Sequence, residues 1–155
     1  MRRTKPEPRE VVADVRYNSV PVTFFINRIM KRGKKSVATT IVYDALDIIK
    51  EKTGKDPIEV MDTALKNVGP LMEVRPRRVG GATYQVPMEV PASRKMTLAM
   101  RWIIEASSGR TGNSYAEKLS GELMDAANNT GAAVRKREET HKMAEANRAF
   151  SHFRV

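Results

Sequence analysis

Three arginines fall within four positions, Arg75, Arg77 and Arg78, broken by Pro76 and followed by Tyr84. A guanidinium offers a planar fork that matches two phosphate oxygens, and a tyrosine ring can stack on an unpaired base. Charges on an exposed ribbon also deter edge-to-edge aggregation, but Lys or Glu would serve that purpose equally well. A second group comprises Arg28, Lys31, Arg32, Lys34 and Lys35. Basic residues at a helix C-terminus complement its dipole, which accounts for about two of these five. Lys34 and Lys35 stand at the start of the following helix, where positive charge opposes the dipole, so they point to an external anion. Arg2, Arg3, Lys5 and Arg9 form a third group in a leader that contains Pro6 and Pro8. Arg135, Lys136, Arg137 and Lys142 form a fourth. There the adjacent Glu138 and Glu139 can pair with Lys142 and Arg135 at i,i+4 spacing, so a solvated helix face explains that group as well as an anion does.

Catalytic constellations are missing from the same survey. His141 and His152 lie 11 residues apart in a chain without cysteine, which does not make a metal cage. Gly33-Lys34-Lys35-Ser36 has Arg28 where a phosphate-binding P-loop needs glycine. Ser114 is accounted for as a helix cap, and Glu138 and Glu139 are adjacent on a helix and cannot face one site. No enzyme, metal or cofactor is expected.

The remaining composition sets the scaffold. The chain has 155 residues, 28 Lys plus Arg against 18 Asp plus Glu, and 41% hydrophobic residues, enough for one domain with a real core. The net charge of +10 is unevenly spread: residues 1–35 carry +7, 75–101 carry +5 and 135–155 carry +3, with mildly acidic stretches between. Contact with a polyanion through several such blocks releases condensed counterions together. An anionic membrane surface would instead call for a strongly amphipathic basic helix, which the chain lacks, and no apolar run is long enough to span a bilayer. No apolar segment follows the basic start, so it is not read as a secretory signal. The absence of cysteine fits a cytoplasmic setting.

Periodicity predicts an extended basic arm over residues 1–17, then a mostly α, single-domain bundle of about six helices over 18–149, and a short tail over 150–155. The first helix starts at Ser19 and ends before Gly33, carrying Phe25, Ile26, Ile29 and Met30. The second carries Val37, Ile41, Val42, Ala45, Ile48 and Ile49 inward and ends at Gly54. Asp56-Pro57 caps the third, whose stripe is Ile58, Met61, Leu65 and Val68. Ser93 is placed as the cap of the fourth, with Met96, Ala99, Met100, Ile103 and Ala106 inward. Ser114 and Glu117 form a capping box for the fifth, and the sixth runs from Ala132 to Ala149 at the domain edge.

Between the third and fourth helices the period changes to two. Residues 71–90 form a protruding β-hairpin around Gly80-Gly81. A two-residue loop sets Met72 and Val74 opposite Glu89 and Pro87. A three-residue loop including Ala82 sets Met72, Val74 and Pro76 opposite Val90, Met88 and Val86, gathering apolar residues on one face, and is the favoured register. Few apolar residues lie near the tip, which should project.

Three strings carry a family likeness: Gly33-Lys34-Lys35 with Ile41-Val42-Tyr43-Asp44-Ala45-Leu46-Asp47; the hairpin Arg77-Arg78-Val79-Gly80-Gly81-Ala82-Thr83-Tyr84-Gln85-Val86-Pro87; and Lys136-Arg137-Glu138-Glu139-Thr140-His141. Across essentially its whole length the chain resembles the bacterial small-subunit ribosomal protein S-seven family. The resemblance implies a helical body with one β-ribbon that binds the 3′ major (head) domain of small-subunit ribosomal RNA and nucleates head assembly. It also implies a place near messenger RNA and exit-site tRNA, beside neighbouring head and platform proteins. By position it adds Arg94 and Lys95, at the start of the fourth helix, to the RNA contacts at Arg2, Arg3, Lys5, Arg9, Lys34, Lys35, Arg75, Arg77 and Arg78. From the residues alone, a DNA-binding regulator and an RNA-modifying enzyme are the alternatives. The first lacks a dimerisation stripe for paired half-sites, and the second lacks a catalytic constellation.

Overall fold

The helix Tyr115–Ala127 is the pivot of the molecule, packing against four other helices. Leu119 and Leu123 point into the core while Ala116, Ser120 and Ala126 let its neighbours approach closely. Each leucine buried in this way contributes about 1.5–3 kcal/mol relative to leaving it exposed. The computed structural model describes residues 4–153. In chain order the helices are α1 (Val20–Ile29), α2 (Lys35–Thr53), α3 (Pro57–Val68), α4 (Ala92–Ser108), α5 (Tyr115–Ala127) and α6 (Ala132–Ala146). A 3-10 helix, Arg148–Phe153, follows α6, and a single antiparallel ribbon, β1 (Met72–Val79) and β2 (Ala82–Glu89), joins α3 to α4. The fold is thus mostly helical with one hairpin, as the periodicity predicts.

Helix boundaries follow local chemistry. Gly54 closes α2 in the left-handed region at φ 66°. The Asp56 carboxylate accepts the Ile58 N–H at 3.0 Å, and Pro57 fills the first helical position. Ser114 Oγ accepts the Glu117 N–H at 3.2 Å, while Glu117 Oε2 reaches back to the Asn113 N–H rather than to that of Ser114. Three expectations shift. Helix α4 begins at Ala92, with Pro91 rather than Ser93 as its N-cap. Helix α6 ends at Ala146, because the chain tightens into the 3-10 helix that sequence reading takes for a tail. Val37 and Met96, assigned to inward stripes, are exposed near the N-terminal ends of α2 and α4.

The ribbon register also differs from the expected one. The pairs run from Met72↔Glu89 through Val74↔Pro87 to Val79↔Ala82, so the loop is Gly80-Gly81 alone. Both glycines take positive φ, 57° and 84°, the backbone that matches the right-handed twist of a hairpin in a two-residue turn. Apolar parity misleads because both faces of the ribbon root are covered. Met72 and Pro87 look toward α6 across a cavity of about 450 Å³ that His141 and Ala144 also line. The other face carries buried Val86 and Glu73, the latter bonded to Arg94 of α4. Residues 78–83 at the tip are exposed.

One partly buried ion cluster, centred on Glu122, ties the helical ends together. Glu122, fully buried, accepts from Arg110 Nη1 at 2.8 Å and from the Ala133 N–H at 2.9 Å, and Asp125 accepts the same arginine at 2.7 Å. Gly131, at φ 97°, brings α6 so close that an added Cβ would sit 3.0 Å from Glu122 Oε1.

Candidate nucleic-acid interface

The basic arm is seated on the body at one end. Asp14, 8% exposed, accepts the N–H groups of Arg16 and Tyr17, each at 3.0 Å, and the Tyr43 hydroxyl at 2.7 Å. That last bond, with burial, raises the Tyr43 pKa above its ordinary value. Arg16 forks onto Asp47 at 2.6 and 3.2 Å and lies over the rings of Tyr17 and Tyr43. The Thr23 hydroxyl donates to the Val12 carbonyl at 2.9 Å. Ahead of this latch, residues 4–12 are exposed, with Lys5 and Arg9 among them. Arg2 and Arg3 lie outside the described residues.

From the latch the cationic groups follow one another. A shared hollow lined by Val12, Asp14, Thr23, Lys35 and Tyr43 sets the arm beside the start of α2. There Lys34 and Lys35 are exposed, with no acidic residue in the first turn and no side chain capping it. Arg28 and Lys31, at the end of α1, border α4 at Ile104 and Ser108, and Arg28 Nη2 donates to Thr97 at 3.3 Å. Arg94 and Arg101 stand three residues before and four after Thr97 on the same side of α4. Arg94 then meets the ribbon through Glu73, which also holds Arg75 at 2.7 Å, and β1 continues to Arg77 and the exposed Arg78. The groups from arm to tip therefore form one belt across α1, α2, α4 and the ribbon.

Other expected site residues have different surroundings. Arg137 turns inward: its Nη1 donates to the Asn67 carbonyl and to Asn129 Oδ1, joining the end of α3 to the loop after α5. Asn67 itself donates to the carbonyls of Ala126 and Ala127, so Arg137 belongs to a clasp on two helix ends. On α6 the ion pairs formed are Lys136–Glu139 at 3.8 Å and Arg137–Glu138 at 3.7 Å, in place of the expected i,i+4 pairs. Arg135 and Lys142 are exposed there, and α6 covers the ribbon face opposite Glu73. The Lys95 stem folds over Gly69 on the α3 side, away from Arg94. Tyr84 is engaged within the chain, its ring 5.3 Å from that of Phe150 and 4.9 Å from that of Phe153.

Electrostatics distinguishes two groups at the ribbon root. Burial alone would raise the Glu73 pKa, but the bonds from Arg75 and Arg94 outweigh it and hold the carboxyl below its ordinary value. His141 is pushed down by burial and by the charges of Arg137 and Lys95, which keeps its Nε2 an acceptor for the Leu71 N–H at 2.9 Å. Sequence reasoning missed Glu73 and Arg101. The first is the single acid between Asp62 and Glu89, and the second stands seven residues after Arg94, so both carried a readable signal. Among the described residues, no group of three or more His, Asp and Glu side chains could hold a metal ion, and no helix is long and apolar enough to cross a membrane.

Residues 1–148 match the family described as Ribosomal protein S7p/S5e. The protein named small ribosomal subunit protein uS7 from Caldanaerobacter subterraneus subsp. tengcongensis is 59% identical over 155 residues, covering 99% of each chain. The Arthrospira platensis protein of that name is 60% identical, covering 99% of this chain and 98% of its own. Its Fervidobacterium nodosum counterpart is 59% identical over 99% of both.

Proposed function

Because the chain belongs to the ribosomal protein S7p/S5e family, we propose that it binds the 3′ major (head) domain of small-subunit ribosomal RNA through the belt from arm to ribbon tip. The protein is a structural constituent of the small ribosomal subunit and not an enzyme. Binding at the head nucleates assembly there, beside neighbouring head and platform proteins, and the jutting tip lies near messenger RNA and exit-site tRNA.

The observation that carries this reading is continuity. Arg28 bonded to Thr97, and Arg94 joined to Arg75 through Glu73, link cations from separate elements on one surface that a folded RNA can follow. With about six to ten phosphates neutralised, affinity should fall about 10³–10⁵-fold between about 50 and 200 mM salt. Filter binding to a head-domain RNA fragment measures that slope, and a flat response overturns the reading. A matched DNA duplex should compete poorly, because the belt spans several elements rather than presenting one helix to a major groove.

A further inference from the structure

We propose that Arg75 and Arg94 together form a single phosphate site at the root of the ribbon, with Glu73 as its positioning residue. The inference rests on the RNA-binding reading above and names a residue on which that binding depends.

Glu73 is 7% exposed, on the ribbon face that looks toward α4. One of its oxygens, Oε1, accepts Arg75 Nε at 2.8 Å and Nη2 at 2.7 Å. The other, Oε2, accepts Arg94 Nε at 3.4 Å and Nη2 at 3.2 Å. Each oxygen thus holds one arginine, one from β1 and one from the first turn of α4. Both arginines turn the same edge inward, which leaves Nη1 on the far side of each guanidinium, and their side chains are 47% and 40% exposed. Two guanidinium groups gathered on one carboxylate would repel each other without it. With it, the trio keeps one net positive charge, which matches the single negative charge of a phosphodiester. Such paired forks are the geometry that recognises phosphate oxygens. Glu73 stays ionised at neutral pH, held below its ordinary value by these two bonds despite its burial. An exposed acid here would push RNA away, whereas this one spends both oxygens on the arginines.

The test is binding of the full chain to the head-domain RNA fragment, with thermal melts alongside. Glu73→Gln adds one positive charge, so simple electrostatics calls for tighter binding. A positioning role calls for the opposite, about tenfold weaker binding, because an amide accepts one arginine and repels the other. Arg75→Ala and Arg94→Ala each remove a partly exposed side chain and leave Glu73 its other arginine, and the melts report any change in stability. Each should weaken binding about tenfold, the double variant little more than either, with the salt slope falling by about one. Equal or tighter binding by Glu73→Gln overturns the inference, as do additive losses with a slope falling by about two, which mean two separate phosphates. If the unmodified protein itself shows no steep salt dependence, the RNA reading fails first and takes this inference with it.

Discussion

Asp14 and Tyr43 meet across 29 residues of chain, carboxylate to hydroxyl at 2.7 Å, and the two backbone N–H bonds to the same carboxylate make this the anchor of the basic arm. Asp14→Ala leaves three donors short of a partner at a nearly buried position and should cost about 2–3 kcal/mol of local stability. Tyr43→Phe removes one of the three bonds and should cost about 1 kcal/mol. Amide exchange at Arg16 and Tyr17 reads the loosening directly, and RNA affinity should fall with it because the arm no longer lies beside Lys35.

Two arginines in similar sequence settings should behave oppositely. Arg78→Ala, at the exposed ribbon tip, should weaken RNA binding, lower the salt slope by about one and leave thermal melting nearly unchanged. Arg137→Ala should leave the slope nearly unchanged and lower stability by about 1–3 kcal/mol, since the Asn67 carbonyl loses its donor. A large stability loss at Arg78 would mean that the tip is structural.

Among the described acids, Glu122 is the most deeply buried. Glu122→Ala strands the Ala133 N–H and leaves Arg110 with Asp125 alone, and should destabilise the protein by about 1–3 kcal/mol in urea unfolding. Glu122→Gln keeps the volume and one acceptor and should cost less. An Ala variant as stable as the parent would show that Asp125 alone satisfies Arg110.

Much of this architecture is readable from local chemistry, because caps and turns act over a few residues. Asp56-Pro57, Gly54, Ser114 with Glu117 and the glycine pair at the hairpin all mark ends that the structure keeps. The ribbon register is not readable by parity, since that presumes one covered face, and here α6 lies against one face of the root while Val86 and Glu73 are buried on the other. Nor did composition distinguish Arg137 from Arg135. Both are basic residues at the start of one helix, and only the position of the α3 carboxyl end makes one a clasp and leaves the other exposed. Tyr84 illustrates the same limit, for its partners Phe150 and Phe153 lie in a segment whose short period resembles a tail. The belt was legible as separate charge blocks, while its continuity depends on long-range bonds such as Arg28 to Thr97.

His141 gives the ribbon root a dependence on pH whose sign follows from its bonding. Its Nε2 accepts the Leu71 N–H, which only a neutral imidazole can do, and burial with the Arg137 and Lys95 charges lowers its pKa from the ordinary 6.5. The unfolded chain therefore takes up this proton first as pH falls, and the folded chain takes it only at lower pH. Stability linked to His141 is full above about pH 6.5 and is lost as pH falls through the folded value, because the unfolded state binds more protons there. Urea unfolding should accordingly show lower stability at about pH 5.5 than at about pH 7.5, still above the range in which carboxylates such as Glu73 protonate. His141→Gln keeps an acceptor without a titrating group and should flatten that part of the profile. The protection factor of the Leu71 amide, taken relative to its intrinsic exchange rate at each pH, should fall over the same interval in the parent and not in the variant. If the variant follows the parent's profile instead, the pH dependence arises elsewhere and the Leu71 bond is not what His141 protonation breaks.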